Sequence, residues 1–292
     1  MCFTVSTFYK FVPLVDPAAL QKEILRSCIH QDLRGTILLA HEGLNATVAS
    51  SRQGIDELIE FLRSHPEIGD FPHQESIAKS VPFERMKVKI KPEIVTLGMP
   101  EINPNDQVGT YVAPEDWNQI IDDPDVVLLD TRNDFEVELG TFEGAINPHT
   151  QSFRQLPDYV RANLAPAKTK KVAMFCTGGI RCEKATAYML QQGFEQVYHL
   201  KGGILNYLTT VSPSESQWRG ECFVFDERVA VDHNLERGHY ELCLGCGHPV
   251  SAADQQSPHY EKGITCPHCY GHLTPEKRSR LEDRQRQRQQ KR

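Results

Sequence analysis

Apolar positions in residues 1–92 change period along the segment, which defines its elements. Phe3 to Phe11 reads as a strand, and Pro17 to Cys28 carries Leu20, Ile24, Leu25 and Cys28 at helical spacing. Gly35 to Ala40 and Leu44 to Ala49 are two apolar runs split by His41-Glu42-Gly43, the pattern of a hairpin. Ile55, Leu58, Ile59 and Leu62 mark a second helix, and Glu84 to Val95 closes the segment with strand alternation. The order βαββαβ is the ferredoxin-like arrangement, an α+β domain. In the closing strand Lys87, Lys89 and Lys91 alternate with Val88 and Ile90. A period of two puts the three lysines on one face, opposite the core. By itself that is a solvated strand face; its sharper meaning is a surface for RNA phosphates.

Residues 93–110 are rich in Pro, Gly and Asn and read as a linker. From 111 to 211 strand and helix patterns alternate. Pro114 to Ile121 is a helix opened by proline, and Val126 to Asp130 is an unalternating strand buried on both faces. Asp134 to Leu139 is a short helix, Gly144 to Asn147 starts a strand, and Phe153 to Leu164 is a longer helix. Val172 to Phe175 is a buried strand, followed by a helical stretch from Glu183. Val197 to Leu200 is the last strand, and Lys201-Gly202-Gly203 leads into a final helical turn. Strands alternating with helices predict an α/β domain with a parallel sheet.

Between the Val172–Phe175 strand and its helix run seven residues, Cys176-Thr177-Gly178-Gly179-Ile180-Arg181-Cys182. Such sheets place ligands at the carboxyl ends of their strands, where Cys176 falls. Two glycines let the backbone curl, so that amides and the helix start converge on the Cys176 sulfur. A cysteine ending a core strand is ordinarily a packed thiol, but this loop and the fixed charge of Arg181 point to a reactive thiolate. Arg181 and the loop amides are then suited to stabilising an anionic sulfur or a developing enolate oxygen. Cys182, one turn on, either packs under the loop or resolves an oxidised Cys176; packing is the simpler reading. Asp130 and Arg132 are expected to pair near the loop, with Glu136 a second partner, in a supporting role.

The third region, residues 212–275, contains Cys243-x-x-Cys246 and Cys266-x-x-Cys269 beside turn residues Gly245, Gly247, Pro249 and Pro267. This is the spacing of a four-thiolate zinc ribbon, with a redox dithiol the alternative. Four thiolates close a coordination shell, so the zinc expected here is structural, and His248, His268 and His272 are read as exposed neighbours. The net charge of −7 argues against a nucleic-acid binder, but it is unevenly distributed. Residues 276–292 hold eight Lys or Arg against three acids, Glu276, Glu282 and Asp283. This tail is expected to be disordered, or to be a local polyanion contact. The amino terminus lacks a signal-peptide pattern and no apolar run spans a bilayer, so a cytoplasmic location and no membrane partner are expected.

These residues resemble a known family. Leu128-Leu129-Asp130-Thr131-Arg132, Gly144-Ala145-Ile146-Asn147-Pro148, the Cys176–Arg181 loop and Leu200-Lys201-Gly202-Gly203-Ile204 are similar to a rhodanese domain. Gly35 to Val48, the run from Cys176 to Ala185 and Phe223 to Arg228 narrow this to the rhodanese-related tRNA uridine hydroxylases, with an acylphosphatase-like first domain. The resemblance spans roughly residues 1–275. It implies formation of 5-hydroxyuridine at the wobble position of the tRNA anticodon loop, using dioxygen and the cysteine matching Cys176. No flavin, haem or nucleotide motif is seen, and His73-Gln74-Glu75, beside Pro72, reads as a surface loop rather than an iron site. The competing readings are a sulfurtransferase carrying a persulfide on Cys176, and a non-catalytic RNA-binding or redox-sensing module.

Overall fold

The structure is a computed structural model that describes residues 2–290. In the first domain β1 (Phe3–Phe11), α1 (Pro17–His30), β2 (Arg34–Ala40), β3 (Gly43–Ser50), α2 (Arg52–Ser64) and β4 (His73–Ala78) follow the ferredoxin-like order. A fifth strand, β5 (Met86–Ile90), extends the sheet to the order β4-β1-β3-β2-β5, with β5 parallel to β2. Asp16 caps α1 by accepting from the amides of Ala18 and Ala19, and Ser51 caps α2 through the amide of Gly54. Leu20, Ile24 and Cys28 of α1 join Ile55, Leu58 and Leu62 of α2 on one sheet face, over Phe8, Ile37, Leu39 and Val48. The closing strand of the βαββαβ unit is therefore His73–Ala78, and Glu84–Val95 supplies only the added edge strand. The sequence His73 to Ala78 hides its strand because only Ile77 and Ala78 are apolar. His73-Gln74-Glu75 accordingly opens β4 and is not a surface loop.

The sheet's second face is set by register. Gln74, Thr7, Thr47, Thr36 and Lys87 are successive cross-strand partners in one row, and Tyr9, Asn45, Leu38 and Lys89 in the next. Partners in register point the same way. This face, rich in hydroxyls and amides, is turned away from the two helices.

In the second domain β6 (Thr110–Val112), α3 (Pro114–Ile121), β7 (Val126–Asp130), α4 (Asp134–Val137), β8 (Gly140–Phe142), α5 (Leu156–Tyr159), β9 (Lys171–Phe175), α6 (Ile180–Gln191), β10 (Gln196–Leu200) and α7 (Gly203–Thr210) follow in order. The parallel sheet runs β6-β10-β9-β7, so β9 is interior, with Val172 to Phe175 buried. Two expectations are corrected here. Gly144–Asn147 makes a single bridge, Ile146 to Leu129, because Gly144 turns the chain at positive φ and Pro148 has no amide to extend the ladder. Phe153–Leu164 is not one helix but a 3₁₀ turn (Phe153–Gln155), α5, and a π turn (Val160–Leu164). Pro157 lacks the N–H that a helix continuing from Phe153 requires.

β11 (Trp218–Gly220) pairs with β8, β12 (Cys222–Phe223) with β13 (Ala230–Val231), and β14 (Glu241–Leu242) with β15 (Pro249–Val250). The basic tail, expected as disordered, forms α8 (Pro275–Gln290). Its Glu, Gln, Lys and Arg are good helix formers, Pro275 suits the first position, and Leu281 is buried. Arg278 pairs with Glu261 and Glu282, and Arg284 lies 3.7 Å from Glu84. Lys291 and Arg292 lie outside the described residues.

The two domains are bolted together by a fully buried ammonium. Lys184 of α6 is 0% exposed and donates to Glu42 at 2.6 Å and Glu93 at 2.7 Å, both from the first domain's side. Tyr9 donates to Glu183 at 2.6 Å, Gln74 to the Gly202 carbonyl at 2.6 Å, and Arg228 to Ser76 at 2.7 Å. The polar face of the first sheet is thereby held over the carboxyl end of β9. No helix among the described residues is long and apolar enough to cross a membrane.

Candidate active site

Cys176 follows the last residue of β9, and the loop after it is shaped by glycines. Gly179 has φ of 99° and begins α6; a Cβ there would stand 2.9 Å from the Tyr9 hydroxyl. Gly203 has φ of 68°, and a Cβ there would lie 2.4 Å from the Cys176 carbonyl oxygen. The close approach lets the amides of Ile204 and Leu205, in the first turn of α7, donate to the Cys176 and Thr177 carbonyls at 2.9 and 3.1 Å. Gly202-Gly203 therefore serves the loop directly, by letting a second helix start beneath it.

The thiol is only 1% exposed, yet its pKa falls to about 6. Burial opposes ionisation, but the Cys182 thiol, the Arg181 guanidinium and the amides of Cys182 and Gly179 outweigh it. The Gly179 amide donates to Sγ at 3.2 Å. Cys182 is fully buried, within 3.6 Å of Thr131 Oγ1, and its own pKa is raised by burial and by the Cys176 charge. One proton thus stays on Cys182 while Cys176 ionises, which gives Cys182 a part beyond packing.

Arg181 lines the same cleft, but its guanidinium is tied down. It donates to both carboxylate oxygens of Glu136 at 2.7 and 2.8 Å, and to Thr177 Oγ1 at 3.2 Å. Glu136 is itself oriented by a capping box with Asn133. Burial pushes the Glu136 pKa up, and Arg181, with Arg132 behind it, pulls it below the ordinary carboxylate range. Glu136 is thus the carboxylate partner of Arg181; Arg132 takes only its backbone carbonyl, at 3.2 Å. Asp130 and Arg132 do form an ion pair, at 2.5 Å with both side chains fully buried. Neither lines the cleft, and Arg132 also donates to the Gly140 carbonyl at 2.6 Å.

The cleft has a volume of about 430 Å³. Its floor is Cys176, Thr177, Gly178, Ile180 and Arg181, and its facing wall includes Thr7, Tyr9, Thr36, Asn45 and Thr47 of the first sheet. Lys87 and Lys89 end the two cross-strand rows of that wall, at the exposed sheet edge, and Lys91 lies just past β5. Periodicity showed that the lysines share a face but not that this face looks toward the loop.

Sequence reasoning missed Glu183 and Tyr9. Glu183 accepts from Tyr9 and Tyr111, yet its pKa is raised, by burial first and then by the Cys176 charge. A carboxyl held up toward neutrality beside a thiolate is able to take and return a proton. Glu183 directly follows Cys182 in sequence, but only the structure shows that Tyr9 of the first domain reaches it.

The four cysteines of the third region converge. The sulfurs of Cys243, Cys246, Cys266 and Cys269 all lie within 4.8 Å of one another, with pairs at 3.7, 3.8 and 3.9 Å. Tetrahedral zinc with bonds of about 2.3 Å requires sulfurs about 3.8 Å apart, so the donor set fits that ion. His248 and His268 stack beside it at 3.7 Å rather than joining the cluster, and His248 Nε2 lies 3.2 Å from Glu138.

Residues 3–94 match the family described as UPF0176 acylphosphatase like domain, and residues 113–210 match the Rhodanese-like domain. The chain is 58% identical over 288 residues to the tRNA uridine(34) hydroxylase of Picosynechococcus sp., covering 99% of this chain and 97% of that protein. It is 56% identical over 285 residues to the protein of the same name from Teredinibacter turnerae, covering 98% and 89%.

Alkylation of Cys176 follows its thiolate, so its rate should rise with pH around a midpoint near 6. In a Cys182→Ala variant the midpoint should move up by about one unit, as the thiol donor is lost. Midpoints near the ordinary thiol value in both proteins would contradict this electrostatic account.

Proposed function

The chain belongs to the tRNA uridine(34) hydroxylase family, and from that membership we propose that it converts the wobble uridine of tRNA to 5-hydroxyuridine with Cys176 as the reacting group. The observation that carries this reading is the depressed thiol of Cys176 at the floor of a cleft whose opposite wall belongs to the other domain. An RNA duplex does not fit such a recess, whereas a base unstacked from the anticodon loop does.

Carbon 5 of uracil becomes electron-rich when a nucleophile adds at carbon 6. The Cys176 thiolate supplies that nucleophile, and its later departure restores the ring. Dioxygen, as co-substrate, is the source of the oxygen atom that carbon 5 gains. While sulfur is bonded to carbon 6, negative charge collects on the uracil oxygens, within reach of the loop amides and Arg181. Glu183 stands behind the cleft lining, joined to it through the Tyr9 hydroxyl, which donates to its carboxylate at 2.6 Å. The loop residues Thr177, Gly178, Gly179 and Ile180 shape the floor, and the Asp130–Arg132 pair braces it from below.

Lys87, Lys89 and Lys91 are the phosphate contacts in this reading, supported by their position along the rim of the wall. The cysteine cluster holds structural zinc, its closed thiolate shell leaving no position for substrate. A tRNA substrate puts the enzyme in the cytoplasm.

The reaction is tested by nucleoside analysis of tRNA from cells lacking the gene, complemented with wild type or Cys176→Ala and grown under heavy-isotope dioxygen. Labelled 5-hydroxyuridine should appear with wild type alone; an unlabelled sulfur nucleoside would instead make the protein a sulfurtransferase. Purified protein should carry one zinc per chain, and Cys266→Ser should lose most of it; a metal-free wild type with an intact fold would refute the zinc site. Lys87→Ala/Lys89→Ala should weaken tRNA binding and reduce the slope of log affinity against log salt by about 1.4. An unchanged slope would remove those lysines from the interface.

A further inference from the structure

Phe225 is an aromatic ring left in the open at the catalytic cleft. It is 61% exposed, yet it lines the recess that contains Cys176 and Arg181. A single exposed apolar side chain needs no explanation by itself. This one is held in place. Its ring meets Phe223 edge to face at 5.0 Å and 84°, and Phe223 meets Phe135 at 5.1 Å and 83°. Phe223 is buried, so the ladder of rings is anchored in the body of the protein.

The turn that follows is fixed as well. Asp226 accepts from Arg228 at 2.7 Å, Arg228 donates onward to Ser76 of β4, and the Glu227 amide donates to the Pro82 carbonyl at 3.0 Å. The ring therefore belongs to a rigid turn clamped against the first domain. The Arg181 guanidinium lies over one face of this ring, 6.0 Å from its centroid, and the ring as a whole stays 61% exposed.

We propose that Phe225 is the stacking platform for the target base, and that the cleft admits one unstacked pyrimidine of single-stranded RNA between this ring and the polar sheet wall. This rests on the proposed function and names how its substrate is held. Charge supports the occupant: the same sheet face ends in Lys87 and Lys89, suited to the phosphates flanking an extruded nucleotide. Stacking on an aromatic ring is tolerant of base identity. Selection of uracil then falls to the hydroxyl and amide groups opposite, Thr7, Thr36, Thr47 and Asn45, which can meet its carbonyl and N–H edge. The rigidity of the ring matters because a preordered platform loses little entropy when the base arrives.

The test uses full-length Cys176→Ala protein, which cannot turn over, and a fluorescent anticodon stem-loop carrying uridine or an abasic site at the wobble position. Phe225→Ala in that background should weaken binding of the uridine loop roughly tenfold. Phe225→Tyr should bind within about twofold of its parent, since the π face is kept. On the abasic loop all three proteins should bind alike. Phe225→Leu, which keeps apolar bulk without a π face, should behave like Phe225→Ala and serves if the alanine variant fails to fold. Equal affinity of parent and Phe225→Leu for the uridine loop, or an equal loss on the abasic loop, would overturn the platform while leaving the hydroxylase reading intact. Failure of wild type to bind the stem-loop and to hydroxylate tRNA would instead overturn that reading and the platform with it.

Discussion

A buried ammonium is the constraint on which the site depends. Lys184 sits one residue past Glu183 in α6, and both of its carboxylate partners, Glu42 and Glu93, come from the amino-terminal side of the chain. Removing one member of a buried charge cluster leaves uncompensated charge, at a cost of about 3–5 kcal/mol. This cluster therefore fixes more than stability. It sets where the first sheet lies relative to the loop, and so turns a rhodanese loop with one open side into the floor of a walled cleft. The Tyr9–Glu183 and Gln74–Gly202 contacts use the same surface, which explains why chemistry-bearing and domain-joining residues are adjacent in α6.

The thiolate is stabilised by many small contributions rather than one large charge. Arg181 is bonded to Glu136 through both carboxylate oxygens, so much of its charge is already answered before it acts on Cys176. The Gly179 and Cys182 amides and the Cys182 thiol supply the rest. That arrangement keeps Arg181 in a fixed place, and in the reaction proposed above it would meet a developing negative charge on a substrate oxygen without reorganisation.

Much of this was legible in the chain because local patterns carry it. Cys176 to Arg181, with its glycines, announces a loop between a buried strand and a helix, and the two Cys-x-x-Cys pairs announce a thiolate cluster. What escaped detection depends on contacts distant in sequence. His73–Ala78 hides as a strand because its pairing with β1, not its own apolar content, holds it in the sheet. Glu136 was read with the Asp130–Arg132 pair because it lies four residues from Arg132 in sequence, while its carboxylate turns across the loop to Arg181. Tyr9 carries no motif, and the signature runs that contain Glu183 and Phe225 do not single either out; all three are brought together because two domains and a clamped turn converge on one cleft. The tail was read from its charge, and charge does not report the helix propensity of Glu, Gln, Lys and Arg together.

The central claim is that the base reacts between the two domains, against both the loop and the first sheet. The most direct measurement is photo-crosslinking with tRNA carrying 5-iodouridine at the wobble position, followed by peptide mapping on the full-length Cys176→Ala protein. The account predicts crosslinks to the Thr177–Arg181 loop and to the facing strands around Tyr9, Asn45 and Thr47. Crosslinks confined to the cysteine cluster or to α8, with none in the cleft, would contradict it.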